Sequence, residues 1–162
     1  MVTFLLLPLV LSMLTIANVH ATSVGGTFTG SFQIVSTSKD VNGNTVTLSE
    51  AAIAYSGPLS ARSTSTELDI TYPNGTGQLH GTETITGSLD GGGAGSITGV
   101  YTGTFTATGL HQSTEWLSRG NYGLQGLNAQ GVWTEQVVSC NSQGNVCSFT
   151  GNYTITSITH QS

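Results

Sequence analysis

From Thr27 onward the chain alternates, with Phe28, Gly30, Phe32 and Ile34 on one side and Thr27, Thr29, Ser31 and Gln33 on the other. A period of two sends successive side chains to opposite faces of an extended backbone, so the segment reads as a half-buried strand. Similar runs recur over 45–55, 64–72, 76–88, 96–108, 113–118, 131–140 and 146–158, which makes eight strands in all. The separators carry turn chemistry: Asp40-Val41-Asn42-Gly43-Asn44, Pro73-Asn74-Gly75, the stretch 90–95, Arg119-Gly120-Asn121 and Gln143-Gly144-Asn145. No segment has a capped, amphipathic 3.6-residue period. The 22 glycines and the abundance of β-branched Thr, Val and Ile would make any long helix costly.

Consecutive antiparallel strands joined by short loops suit a meander, and closing the meander removes both bare sheet edges. The predicted fold is therefore all-β, a closed eight-stranded antiparallel meander barrel, with a β-sandwich as the alternative. Gly81, Gly99 and Gly103 inside strands fit either, because they permit bends and close approaches. In the fourth strand Leu79, Gly81, Glu83 and Ile85 share one face, and His80, Thr82, Thr84 and Thr86 the other. In the fifth, Ile97, Gly99, Tyr101, Gly103 and Phe105 oppose Thr98, Thr102, Thr104 and Thr106. The apolar sets are expected inside and the threonine ladders outside.

A chain of 162 residues suits one domain. Residues 4–14 form an apolar run broken by Pro8 and Ser12, followed by Val19-His20-Ala21 with small residues at cleavage-site positions. Residues 1–21 are read as a signal peptide and 22–162 as a single secreted domain, extracellular or periplasmic. The run is shorter than the roughly 20 apolar residues a spanning helix needs, and no Cys follows it for a lipid anchor. Charged residues make up only 7% of the chain, so hydroxyls and amides must carry its solubility. With a formal net charge of −5 there is no basic surplus for a phosphate backbone or an anionic bilayer, which disfavours nucleic-acid partners.

In an oxidising compartment Cys140 and Cys147 are expected to pair. A two-residue turn at Gln143-Gly144 would set Ser142 against Asn145, Asn141 against Val146 and Cys140 against Cys147. The absence of CxxC and of histidines at ligand spacing favours a disulfide over a redox or metal pair.

Four motifs carry a family resemblance. Tyr55-Ser56-Gly57-Pro58-Leu59 with Ser63-Thr64-Ser65-Thr66-Glu67-Leu68 is similar to an FSGxL…STxxE segment. His80-Gly81-Thr82-Glu83 with Thr86-Gly87-Ser88-Leu89 is similar to GxE…TGTL, and Tyr101-Thr102-Gly103-Thr104-Phe105 to a GTF strand. Gly120-Asn121-Tyr122-Gly123-Leu124-Gln125-Gly126-Leu127 with Gly131 is similar to GSGxGxLxGLxGxG. In order and spacing these resemble the family called domain of unknown function 3224, over residues 27–138. The resemblance implies a fold related to the allene oxide cyclase barrels, and it implies no activity.

Glu83 is the best candidate for chemistry, since alternation puts its carboxyl on an apolar face, where desolvation should raise its pKa. It reads either as a general acid or ligand anchor or as a buried carboxyl satisfied by hydroxyls. Leu79, Glu83, Ile85, Tyr101, Phe105 and Trp116 are the residues expected to line a lumenal ligand. Trp116 and Trp133 read either as pocket walls or as core residues filling the barrel mouth, the core reading being the default. Glu67 shares a face with Ser63, Ser65 and Asp69, opposite Leu68 and Ile70, and is expected outside as half of a solvated pair. His80 lies on the face opposite Glu83, His111 is read in a turn and His160 in the tail. No metal site, no GxSxG elbow and no P-loop are read, and no cofactor is called for. Asn74-Gly75-Thr76 and Asn152-Tyr153-Thr154 are glycosylation acceptor patterns.

Three functions compete: a lumenal site for a small, largely apolar molecule; a non-enzymatic surface or matrix protein using the Thr-rich exterior; and an isomerase or cyclase acting on such a molecule. Homo-oligomer formation stays open.

Overall fold

The computed structural model describes residues 23–160, so the signal peptide read at 1–21 lies outside the described residues. Eight strands follow in order: β1 (Val24–Lys39), β2 (Thr45–Ser56), β3 (Leu59–Thr71), β4 (Gly77–Leu89), β5 (Gly95–Phe105), β6 (Leu110–Ser118), β7 (Leu127–Cys140) and β8 (Val146–His160). Each pairs antiparallel with its neighbour, and β8 returns to pair with β1, so the sheet closes as an eight-stranded meander barrel. The sandwich alternative is set aside. A one-turn 3-10 segment, Tyr122–Leu124, interrupts the β6–β7 connection.

The sequence explains the loops at one rim. The three-residue connections at 41–43, 73–75 and 107–109 are built alike, with Asp40, Tyr72 and Thr106 each donating a backbone N–H across the loop at 2.8–3.0 Å. The last loop residue in each is a glycine in the left-handed region, at φ +82°, +84° and +77°. This is a type I turn closed by a glycine bulge, whose twist suits the flanking strands. The β7–β8 hairpin at the same rim differs from expectation by one residue. Gly144 donates to the Asn141 carbonyl at 2.9 Å, so the turn centres on Ser142 and Gln143. Cys140 and Cys147 nevertheless stay opposite each other and form the disulfide.

The far rim is closed. Ile85, Ile97 and Ile155 meet there, with Leu117, Leu127 and Ala129 packed around them. Burying an aliphatic side chain of that size contributes about 1.5–3 kcal/mol. The β6–β7 connection folds over this end: Asn121 and Ser96 exchange two hydrogen bonds of 2.9 Å, and Leu124 enters the core. Tyr153 ties the β2–β3 corner to the plug by accepting the Leu59 N–H at 2.8 Å.

Inside the barrel, rings sit over glycines. Tyr101 pairs across the sheet with Gly81, Phe105 with Gly77, Phe149 with Gly30 and Phe28 with Gly151. At each of these glycines an added Cβ would collide with the facing ring. Glycine is required there for lack of a side chain, so that a tightly curved eight-stranded wall can hold large inward groups.

Candidate functional site

The half of the lumen nearer the short hairpins is polar. β3 turns Ser63, Ser65, Glu67 and Asp69 inward, where they pair across the sheet with Ile53, Ala51, Ser49 and Thr47 of β2. This corrects the sequence expectation for Glu67: it lines the lumen, while Thr64 and Thr66 are exposed. Closure imposes the parity, because Ser65 stands beside Glu83 and Glu67 beside Gly81 on the inward face of β4.

Five carboxyl groups converge inside: Glu67, Asp69, Glu83, Glu115 and Glu135. The chain has eight acidic residues in all, the others being Asp40 in a loop and the exposed Glu50 and Asp90. Lys39, Arg62 and Arg119 are exposed, so among the described residues His111 is the basic side chain that lines the cavity with these carboxyls.

Glu83 and Glu115, 3% and 2% exposed, form the inner pair. The Tyr55 hydroxyl donates to Glu83 Oε1 at 2.8 Å. Burial raises the Glu83 pKa, as expected from sequence, and the Ser63 and Tyr55 hydroxyls draw it partly back. Burial, reinforced by the charge of Glu83 and a hydrogen bond to it, raises the Glu115 pKa well above the carboxylate range. The two carboxyls are therefore arranged as a pair that shares one proton. The Glu115 carboxyl lies where a Cβ on Gly99 would sit.

Glu67 and Asp69 form the outer pair. Burial, then the neighbouring Asp69 and Glu135 charges, raises the Glu67 pKa well above the carboxylate range. Burial pushes Asp69 up to about 6, against the pull of His111 and of the hydrogen bond from Glu67. Near the rim, His111 Nδ1 stands 3.0 Å from Glu135 Oε1, outside hydrogen-bonding geometry. Tyr101 closes the set; burial, then the Glu67 charge, raises its hydroxyl.

Between these groups lies a cavity of about 50 Å³ with Phe28, Phe32, Tyr101, Trp133 and Phe149 as its ring-bearing walls. At ~10–15 Å³ per water it has room for about three to five waters, or a molecule of similarly few heavy atoms. Four buried side-chain atoms lack a hydrogen-bond partner among the described residues: Asp69 Oδ1, His111 Nδ1, Glu115 Oε1 and Trp133 Nε1. All belong to inward-facing residues. Buried polar atoms are seldom left unpaired, so the lumen is arranged to bond something small. No cluster of three or more His, Cys, Asp or Glu among the described residues is close enough to hold a metal ion.

Of the lining residues read from sequence, Leu79, Glu83 and Tyr101 wall the cavity. Ile85 is inward but sealed in the apolar plug. Phe105 sits at the rim, 5.1 Å from His111 between ring centroids. Trp116 is corrected to the outside: it is 46% exposed, because β6 presents Ser113, Glu115 and Leu117 inward. Trp133 is in the core as expected and also lines the cavity. His111 lies in β6 facing the lumen rather than in a turn; His80 is exposed, and His160 ends β8, also exposed.

Sequence reasoning missed Tyr55, Asp69, His111, Glu115 and Glu135 as lumen groups. One available signal was that Glu115 shares a strand face with Leu117, as Glu135 does with Trp133.

No protein-family model and no curated protein matches the sequence. Among solved structures, the chain is similar to a protein of unknown function from the DUF3224 family of Shewanella oneidensis MR-1. The TM-score is 0.58 at 20% sequence identity, over 82% of this chain and 95% of that one. This neighbour comes from the family that the four motifs resemble, and the likeness is one of fold.

Proposed function

We propose that this barrel binds a small molecule in its lumen, with the bound molecule's apolar part against the Tyr101, Trp133 and Phe149 rings and a hydrogen-bond-donating head among the carboxyls. The observation that carries the reading is that three residues lining one cavity, His111, Glu115 and Trp133, each hold a buried polar atom without a partner. The expected ligand is thereby less apolar than the sequence suggested. A site of this kind combines apolar walls with a few convergent polar groups. We further read the protein as exported. Its disulfide suits an oxidising compartment, and no helix among the described residues is long and apolar enough to cross a membrane.

Catalysis on the bound molecule is the stronger form of the reading, with the Glu83–Glu115 pair as proton donor and acceptor. The exterior offers a second reading. Trp116 and Val100, 46% and 51% exposed, are cross-strand partners beside the outward Thr82, Thr84 and Thr66, a surface that suits a non-enzymatic binding role.

Native mass spectrometry of the purified protein and of Glu83→Gln tests the lumenal reading. A co-purifying small molecule, retained by wild type and weakened in the variant, is the expected result. If wild type and variant are both empty, and an added small-molecule panel finds no lumenal binder, the outer face becomes the better reading.

A further inference from the structure

We infer that the lumenal ligand is a compact organic cation, an alkylammonium-type molecule whose N–H groups bond Glu115 and the carboxyls beside it in the cavity wall while its alkyl part lies against the rings. This deepens the proposed function and rests on it.

β2 presents Tyr55 to the lumen, β3 Glu67 and Asp69, β4 Glu83, β5 Tyr101, β6 His111 and Glu115, and β7 Glu135. β1 and β8 contribute Phe28, Phe32 and Phe149 and no charge. His80, outside on β4, acts on Asp69 only from the far side of the wall. With one proton shared by each carboxyl pair, an inward negative charge remains on each pair. Uncompensated charge in a largely dry interior is costly, so the site either takes up protons or admits a cation.

An independent observation favours a bound cation. Glu115 is 2% exposed, and its Oε1 accepts no hydrogen bond although the residue lines the cavity. Asp69 Oδ1 is likewise unpaired. The proton that the pair shares lies between the two carboxyls whichever of them carries it, so the unpaired Oε1 can only accept and its missing partner is a donor. Tyr101 and Trp133 line the same cavity, and aromatic rings favour cations over neutral molecules.

A bare metal ion fits less well, because these carboxyls are too dispersed to ligate one together. An ammonium group needs only separate oxygens within hydrogen-bond reach. The cavity of about 50 Å³ limits the molecule to a few heavy atoms unless the rim yields.

Binding should also compete with protons. A cation favours the ionised carboxyls, so its affinity should fall on acidification through the Asp69 value of about 6.

The test is an NMR titration of the purified protein with propylammonium chloride, propan-1-ol, sodium chloride and magnesium chloride at matched ionic strength. The expected result at pH 7.5 is saturable shifts at lumen residues with propylammonium. Propan-1-ol and sodium should act at least about tenfold more weakly, since a charge-assisted hydrogen bond is lost. The double variant Glu83→Gln/Glu115→Gln, which leaves the inner pair without charge, should weaken propylammonium binding about tenfold, and Glu135→Gln, nearer the rim, serves if the double variant folds poorly. Affinity should fall about tenfold or more at pH 4.5. Equal affinity for propan-1-ol and propylammonium would overturn the cation inference while leaving the lumenal site standing. Tighter magnesium binding at the same residues, unchanged affinity at pH 4.5, or no propylammonium binding would each overturn it too. The lumenal reading itself is judged separately, by the native mass spectra.

Discussion

Raising the pH should destabilise this barrel across a range where most proteins are at their most stable. Glu67, Asp69, Glu83 and Glu115 all have raised pKa values, with burial as the largest cause. In the unfolded chain these groups lose their protons near pH 4; in the fold they keep them to higher pH. Between the two values the folded state binds more protons, so stability falls as pH rises. The full stability is present below the unfolded values and is lost as pH climbs through the folded ones. For Asp69 the step from 3.8 to about 6, at roughly 1.4 kcal/mol per pH unit, amounts to about 3 kcal/mol shared with its partner Glu67. Glu67 and Glu115 extend the loss above that pH. The lowered Asp40 value has the opposite sign, but that group is fully solvated and its effect is small. Urea denaturation at pH 4, 6 and 8 should show a decline of at least about 3 kcal/mol, which corresponds to about 6–12 °C in Tm for a chain of this size. Glu115→Gln should behave as wild type at pH 4, because the amide N–H can donate to Glu83 as the protonated acid does. At pH 8 the variant should be the more stable of the two. Stability that is flat or rising from pH 4 to 8, or a variant as pH-sensitive as wild type, would refute the reasoning.

Four further outcomes follow from the packing. Gly81→Ala places a methyl group against the Tyr101 ring and the Thr66 carbonyl; overpacking of this kind costs about 1–3 kcal/mol, visible as a lower Tm. Tyr55→Phe removes the 2.8 Å hydrogen bond to buried Glu83 and should cost about 1.5–3 kcal/mol by urea denaturation near neutral pH, with a smaller loss in acid. Acrylamide should quench Trp116 and spare Trp133, so Trp116→Phe should abolish most quenching while changing stability by under about 0.5 kcal/mol. Reducing the Cys140–Cys147 bond, which closes a loop with a sequence separation of 7, should cost about 2.5 kcal/mol through regained chain entropy, measured by denaturation with and without reductant.

How far the sequence alone reaches is clear from particular residues. The alternation of Phe28, Gly30 and Phe32, with the turn residues around Gly43, Gly75 and Gly144, determined the strands, the meander and the disulfide register. These are local signals, since a strand's period and a turn's left-handed residue depend on neighbours a few positions away. The inward placement of Glu83 and Tyr101 was legible for the same reason, because each shares its face with Leu79 or Ile97. Alternation says which residues share a face, however, and not which face is inside. On β3 and β6 the usual guide, apolar inward, pointed the wrong way for Glu67 and Trp116. Barrel closure decided the matter: once Glu83 faces the lumen, cross-strand register requires Ser65 and Glu67 to face it too, and Tyr101 requires the same of Glu115. Only that long-range pairing gathers carboxyls from β3, β4, β6 and β7 around one cavity, where desolvation and mutual repulsion give them chemistry that none would have on an isolated strand.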